Sequence, residues 1–149
     1  MKVEQAIKQK SFKDPFLKLE VNILYSASII NNLNAKFFRA YQISPQQFNV
    51  LRILRGSYPK PLTLNLITER MIDIMSNATR LVDKLVIKGF VSKKINEYNR
   101  RQVDILITKD GLDLLASIDI VMDKILDKYN NLTEEEAIQL NKLLDKLNS

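Results

Sequence analysis

The 149-residue sequence contains no cysteine, no histidine and no tryptophan, and only three glycines and four prolines. Without cysteine there is neither a disulfide nor a thiolate nucleophile, and without histidine the commonest general base is missing. The absence of both residues excludes a conventional zinc site, and we expect no metal and no cofactor. The scarcity of glycine and proline favours a mainly helical fold.

Long apolar runs are also missing. No stretch approaches the ~20 apolar residues of a membrane span. The segment from Met1 to Asp14 is polar and lysine-rich, which is not the pattern of a secretory signal. We therefore expect a soluble, cytoplasmic chain with no membrane partner. Its length is sufficient for one domain with a real core.

Catalytic motifs are absent as well. The sequence has neither a glycine-rich phosphate loop nor a serine nucleophile elbow. The acidic run Glu134–Glu136 follows Thr133, and this spacing predicts a capping box at the start of the last helix. An enzyme is the main alternative class, but we expect no catalytic residues.

The positive charge is concentrated in one segment. The chain has 23 basic and 17 acidic residues, hence a net charge of +6. The segment from Arg55 to Arg101 holds ten basic and four acidic residues, so it accounts for the entire excess. A neutral body with one basic segment is typical of a protein that binds nucleic-acid phosphates.

Hydrophobic periodicity and capping signals predict a mainly α fold with one small β-hairpin. The helices are expected at about 15–41, from Ser44-Pro45 to Gly56, from Thr63 to about Arg70, at about 76–88 before Gly89, at 108–129 and from Thr133 onward; the strands are expected at 90–95 and 102–107. Leu66 and Ile67 should face inward on the short helix. Val103, Ile105 and Ile107 should alternate inward on the second strand.

The first long helix has more apolar positions than one buried stripe requires. Between Phe16 and Tyr41 they cover two faces, and the last helix carries a leucine series from Leu140 to Leu147. One face can pack within its own domain. The second needs another partner, and a second subunit is the usual answer, so the pattern predicts a homodimer.

The helix at 76–88 has a polar face opposite its apolar stripe. That face consists of Ser76, Asn77, Arg80, Lys84 and Lys88, with Thr79 at its border. In a DNA-binding helix, the short polar groups and the arginine would reach base edges, while the two lysines would contact flanking phosphates. The alternative is an ordinary solvated helix face. The charge segregation and the preceding short helix favour double-stranded DNA.

The predicted hairpin is the second candidate DNA-binding element. Its basic residues are Lys93, Lys94, Arg100 and Arg101, and Asn96 and Asn99 lie at the tip. An exposed hairpin of this composition can follow the DNA backbone or enter the minor groove. A charged edge that only prevents strand aggregation is the alternative, and it suits the lysines better than the paired arginines.

Two segments resemble the MarR family of bacterial winged helix-turn-helix regulators. Ser76-Asn77-Ala78-Thr79-Arg80-Leu81-Val82-Asp83-Lys84-Leu85 is similar to its recognition helix, and Asn99-Arg100-Arg101 followed by Ile107-Thr108-Lys109-Asp110-Gly111 to its wing signature. Pro61-Leu62-Thr63-Leu64 fits the approach to the short helix. The departures are Asn99 in place of aspartate, Ile107 in place of leucine and Lys93 in place of arginine.

The resemblance implies one MarR-like domain over 1–149, with dimerisation helices at 15–41 and 108–148 around a winged lobe at 44–107. It further implies a homodimer that binds a pseudo-palindromic operator, with its two recognition helices in successive major grooves. Thr63 joins the DNA-binding candidates on this basis. The implied role is that of a transcriptional regulator, expected to be a repressor.

In many family members a small aromatic or anionic effector binds between the dimer helices and the DNA-binding lobe. Here the candidate pocket residues are Tyr25, Phe37, Arg39, Tyr41, Phe48 and Arg52. Plain core aromatics and solvated arginines are the alternative interpretation. A second functional alternative is a winged-helix module that binds protein or RNA without recognising an operator.

Overall fold

The computed structural model describes residues 1–149, which form seven α-helices and one antiparallel hairpin. The elements are α1 (Val3–Ala6), α2 (Pro15–Arg39), α3 (Pro45–Ser57), α4 (Leu64–Arg70), α5 (Ala78–Ile87), β1 (Val91–Ile95), β2 (Val103–Ile107), α6 (Lys109–Leu126), a 3₁₀ turn (Asp127–Tyr129) and α7 (Glu134–Leu147). A mainly helical fold with one hairpin is therefore confirmed. The chain divides into two compact units, residues 1–112 and 113–149.

Local capping signals define most helix starts. The Ser44 hydroxyl accepts a hydrogen bond from the Gln47 N–H at 3.1 Å, and the Gln47 side chain returns one to the Ser44 N–H at 3.0 Å. Thr133 and Glu136 form the same reciprocal pair at α7. Such capping boxes satisfy N–H groups that lack partners within the helix. Both starts are where the sequence predicts them.

Some predicted boundaries are wrong. The helix α3 continues through Gly56 to Ser57, and the chain leaves the helix at Tyr58, directly before Pro59. Gly56 is thus a helical residue and not the C′ terminator. The proline ends the helix instead, because the residue before a proline is driven out of the α conformation. Gly89, by contrast, has φ +79° just after α5 and fills the predicted role.

The core of residues 1–112 lies among α3, α4, α5 and β2. Its fully buried side chains include Val50, Leu51, Leu54, Ile67, Val82, Leu85, Ile105 and Ile107. Each such side chain contributes roughly 1.5–3 kcal/mol when transferred from water. Two predicted inward residues are wrong: Leu66 is 37% exposed and Val103 is 38% exposed. Val103 pairs with Ile95 at the tip end of the hairpin, beyond the core.

The hairpin is joined to the segment ahead of α4. Leu62 and Ile105 exchange two backbone hydrogen bonds, at 2.9 and 2.8 Å. The neighbouring Thr63 is thereby held beside β2. None of the helices is long and apolar enough to cross a membrane.

Candidate DNA-binding surface

The orientation of α5 is fixed by its N-cap and its apolar stripe. The Oδ1 of Asn77 accepts a hydrogen bond from the Arg80 N–H at 3.1 Å. Ala78, Val82 and Leu85 are buried. Because these three residues fix the inner face, the opposite face of the helix is exposed to solvent.

That exposed face carries cations without partners. Thr79, Arg80 and Lys84 are exposed. The side chains of Arg80 and Lys84 form neither a hydrogen bond nor an ion pair within the chain. Two uncompensated cations one turn apart create a positive potential that attracts anionic ligands such as phosphates.

The two residues ahead of α5, Ser76 and Asn77, differ in how accessible their polar groups are. The helix begins at Ala78, two residues later than predicted. Asn77 uses its Oδ1 as the cap, so only its amide NH₂ is left to contact a ligand. The Ser76 Oγ is buried and has no hydrogen-bond partner. The structure therefore brings Arg80 and the Asn77 amide to the surface together, but not the Ser76 hydroxyl.

Lys88 is bound at the other end of α5. Its Nζ donates hydrogen bonds to the Gln42 carbonyl oxygen and, at 3.3 Å, to Oε1 of the buried Gln47. These contacts connect the C-terminal end of α5 with the α2–α3 junction. Sequence reasoning assigned Lys88 to DNA phosphates and missed this contact, which joins residues more than 40 positions apart.

An ion pair connects the hairpin to α5. Lys93 Nζ lies 2.9 Å from Asp83 Oδ1. Part of the Lys93 charge is therefore neutralised within the chain. Lys94, on the same strand and paired in register with Asp104, forms no ion pair.

The hairpin tip is organised by a side-chain network that sequence reasoning missed. Asn96 Oδ1 accepts from the Asn99 N–H at 2.9 Å, and Asn96 Nδ2 donates to Asp104 Oδ2 at 2.9 Å. Gln102 Nε2 donates to the other carboxylate oxygen of Asp104 at 2.9 Å. Asp104 thus holds both ends of the tip, and a tip held this way loses less freedom on binding.

The paired arginines extend from this ordered tip. Asn99 Oδ1 accepts from the Arg101 N–H at 3.1 Å, a neutral hydrogen bond where an aspartate would give a charge-assisted one. Arg100 and Arg101 are exposed, and neither guanidinium has a partner in the chain. Both are available for an external anion.

Three elements meet at a cleft of about 370 Å³. Thr63 ahead of α4, Thr79 of α5, and Lys93 and Arg101 of the hairpin all line it. Thr63 also caps α4 by accepting from the Leu66 N–H at 3.3 Å. Four residues selected from separate parts of the sequence therefore lie around one concave surface.

The junction after β2 is unusually close-packed. Thr108 Oγ1 donates to the Gly89 carbonyl at 2.7 Å and accepts from the Gly111 N–H at 3.2 Å. A Cβ on Gly111 would lie 2.4 Å from the Phe90 carbonyl oxygen and 2.7 Å from a side-chain carbon of Ile107. Glycine is required at this position because no side chain fits. The Thr-x-x-Gly spacing thus anchors the first turn of α6 against the base of the hairpin.

Comparisons with known proteins agree with this geometry. A family model described as "MarR family" matches residues 43–103, which contain α3, α4, α5, β1 and the hairpin tip. The HTH-type transcriptional regulator PapX of Escherichia coli is 25% identical over 151 residues, covering 97% of this chain and 92% of PapX. Residues 43–103 of the chain are therefore similar to the MarR family, and nearly the whole chain is similar to PapX.

Solved structures place the same fold over most of the chain. A MarR transcription factor from Planctomyces limnophilus is 26% identical, with a TM-score of 0.68 over 91% of this chain and 98% of its own. A mutant of MarR from E. coli, complexed with operator DNA, is 22% identical, with a TM-score of 0.80 over 93% and 99%. The winged helix-turn-helix fold predicted from the sequence is confirmed.

MarR-family proteins are DNA-binding transcriptional regulators and not enzymes. By position in the winged helix-turn-helix fold, the basic hairpin of this chain corresponds to the wing and α5 corresponds to the recognition helix. No group of three or more acidic, cysteine or histidine residues is arranged to hold a metal ion. The chain has the winged helix-turn-helix fold of these regulators.

The aromatic residues selected as effector candidates pack mainly on one another. Phe37 lies 5.1 Å from Phe38 and 5.5 Å from Tyr41 between ring centroids, and Phe38 stacks on Phe48 at 4.3 Å. The Arg52 guanidinium lies 5.7 Å from the Phe48 ring centre. These five residues form one aromatic cluster between α2 and α3.

The remaining two effector candidates lie apart from these ring contacts. Tyr25 is half-buried on α2 and has no ring contact. Arg39 is exposed and lines a separate cavity of about 340 Å³ beside Ser44, Gln47 and Lys88. Six predicted residues therefore do not converge on one pocket.

Proposed function

We propose that this chain is a sequence-specific repressor of the MarR family that binds double-stranded DNA as a homodimer on a pseudo-palindromic operator. The observation that carries the proposal is a set of exposed, unpaired cations on the recognition helix and the wing of one lobe. They are Arg80, Lys84, Lys94, Arg100 and Arg101. The fold shared with an E. coli MarR mutant complexed with operator DNA supports the same partner.

Arg80 is the proposed base reader. It lies in the first turn of α5, the end of a recognition helix that approaches base edges in the major groove. Its free guanidinium has the donor pair that matches guanine O6 and N7. The Asn77 amide and the Thr79 hydroxyl are the neighbouring polar groups that can add to this contact.

The phosphate contacts are proposed for the other unpaired cations. Lys84 lies one turn after Arg80 on α5, and Lys94, Arg100 and Arg101 extend the positive surface along the wing. Thr63 contributes a hydroxyl at the cleft between α4 and the wing. Such contacts set the register on DNA but carry no base sequence.

Three selected residues are less available to DNA than the exposed, unpaired cations. The amines of Lys93 and Lys88 have internal partners, and the Ser76 hydroxyl is buried. Their direct contact with DNA stays a prediction. The internal contacts support a second role, since Lys88 and Lys93 fix α5 relative to α3 and to the wing.

The homodimer is supported by helices that bury almost nothing within one chain. Of the 25 residues of α2, Phe38 alone is buried, while Phe16 is 77% and Leu24 is 63% exposed. On α7 no residue is buried, and Leu143 and Leu147 are 59% and 55% exposed. Apolar faces of this extent are typical of subunit interfaces. Sedimentation of a folded monomer at micromolar concentration would contradict the dimer.

Relief by a small effector is a further proposal. Arg39 offers a cation to an anionic ligand in the cavity beside Gln47, and the Arg52–Phe48 contact offers a separate aromatic surface with its own cation. A ligand that binds the folded protein should raise its melting temperature with increasing concentration. A thermal-shift screen of aromatic carboxylates, followed by operator binding with any hit, tests this. The absence of hits would favour a regulator without such an effector.

The test of the proposed function is equilibrium binding of the full chain to its operator, to a scrambled duplex and to a hairpin RNA. The proposal predicts tight operator binding, weak scrambled-duplex binding and no RNA preference. Arg80→Ala should cost about 1–3 kcal/mol on the operator and much less on the scrambled duplex. Equal affinity for all three nucleic acids would favour the alternative of a winged helix without operator recognition.

A further inference from the structure

The connection between α4 and α5 exposes three apolar side chains within four residues. Ile72, Ile74 and Met75 are 87%, 86% and 87% exposed, respectively. A single exposed isoleucine is ordinary, but three nearly uncovered side chains together form a patch that suggests a binding partner. We call residues 72–75 the apolar turn.

The apolar turn is held in place by its backbone. The Ile72 N–H donates to Asn49 Oδ1 on α3 at 2.9 Å. The Asp73 carboxylate accepts from the Met75 N–H at 3.0 Å, and the Asp73 carbonyl accepts from the Ser76 N–H at 3.0 Å. The turn is therefore a preorganised feature that presents its side chains outward, which lowers the entropic cost of binding.

The position of the turn indicates its occupant. Met75 lies two residues before Asn77, the N-cap of the recognition helix, and five before Arg80. The N-terminal end of a recognition helix is the part that reaches base edges, so the residues just ahead of it approach the same groove. The apolar group presented there by DNA is the C5 methyl of thymine.

We propose that the apolar turn contacts thymine methyl groups in the major groove and adds a thymine preference next to the bases read by Arg80. This inference rests on the proposed function. The turn is continuous with the polar exposed face of α5, which favours DNA over a second copy of the chain. The single acid of the turn, Asp73, accepts a hydrogen bond from the Met75 N–H, which holds its side chain against the turn backbone.

The experiment removes only the C5 methyl group of individual thymines in the operator. Each thymine of the operator is replaced in turn by deoxyuridine, which keeps the base pairing and its hydrogen-bond pattern. Burial of one methyl group corresponds to about a fourfold change in affinity. We expect about fourfold weaker binding at one thymine, and roughly 15-fold when both half-sites are changed.

One double variant completes the double-mutant cycle, and one further variant is its control. The variant that carries both Ile74→Ser and Met75→Ser should bind the thymine and deoxyuridine operators equally, because its contact with the thymine methyl group is already lost. Ile87→Ser is the matched control: its side chain is 85% exposed, at the far end of α5, and this variant should keep the full deoxyuridine effect. Melting temperatures should be unchanged, because all three side chains are exposed.

The outcomes separate the two proposals. Tight operator binding with no deoxyuridine effect at any thymine would overturn the role of the apolar turn and leave the proposed function standing. A smaller assembly for the Ile74→Ser/Met75→Ser variant, with the deoxyuridine effect intact, would assign the turn to a subunit contact and also overturn it. Failure to prefer any duplex sequence would instead contradict the proposed function itself.

Discussion

Replacing Lys84 by alanine should make DNA binding less dependent on salt. Lys84 is exposed on α5, and its amine has no partner in the chain, so its charge is available to a phosphate. Each neutralised phosphate contributes about −0.9 to the slope of log Kobs against log salt. With Lys84, Lys94, Arg100 and Arg101 on phosphates in both protomers, the wild-type slope should be about −7.

Lys84→Ala removes two of these contacts from a homodimer. The slope should become shallower by about 1.8, equivalent to about 60-fold weaker binding at 0.1 M salt for a purely electrostatic contact. The loss should be the same on the operator and on a scrambled duplex, because phosphates carry no sequence information. Fluorescence anisotropy across a sodium chloride series measures both quantities.

Lys142 provides the control for a simple loss of charge. It is exposed on α7, outside the unit that contains the winged helix, and Lys142→Ala should leave the slope unchanged. An unchanged slope for Lys84→Ala would refute the phosphate assignment. An equal change for both variants would show that only total charge matters.

Further predictions concern the packing of the wing. Gly111→Ala should destabilise the fold by about 1–3 kcal/mol, because the new Cβ would overlap the Phe90 carbonyl oxygen. Gly56→Ala lies in open space within α3 and should stabilise the fold by about 0.5–1 kcal/mol. Urea denaturation measures both changes. Arg101→Ala should weaken operator binding more than other single wing substitutions, and unchanged affinity would remove Arg101 from the interface. Asn96→Ala should increase hydrogen exchange at the wing tip with little change in melting temperature, and an unaltered tip would contradict the network.

Features set by local sequence were predicted well. Ser44 and Thr133 begin helices because their hydroxyls satisfy N–H groups three residues away. Gly89 ends α5 because it can adopt a positive φ. Gly56 was misassigned because glycine alone does not end a helix, and the residues that follow decide whether the helix continues.

Contacts between distant residues could not be predicted. The Lys88 amine reaches Gln42 and Gln47, and Asp104 receives the Asn96 side chain from across the hairpin. Periodicity identifies the exposed face of a helix but not the partner that a long flexible side chain finds there. The selection of DNA-binding candidates therefore included residues that are engaged within the chain.

The exposure of the apolar turn could not be predicted from the sequence either. Residues 72–75 lie in a break between two helices, where hydrophobic periodicity carries no information. Ile72 and Ile74 could have been buried under a neighbouring element, and only the folded structure shows that they are exposed. The break between the two helices was predicted, but the exposure of its side chains was not.

Selection from a pool of random duplexes tests the central claim most directly. The full chain is mixed with duplexes containing a randomised segment, and the retained sequences are amplified and sequenced over several rounds. A homodimer with one recognition helix per protomer predicts enrichment of an inverted repeat whose half-site centres are about 10–10.5 base pairs apart. Retention of unenriched sequences, or of a single motif without its inverted copy, would contradict sequence-specific binding by a symmetric dimer.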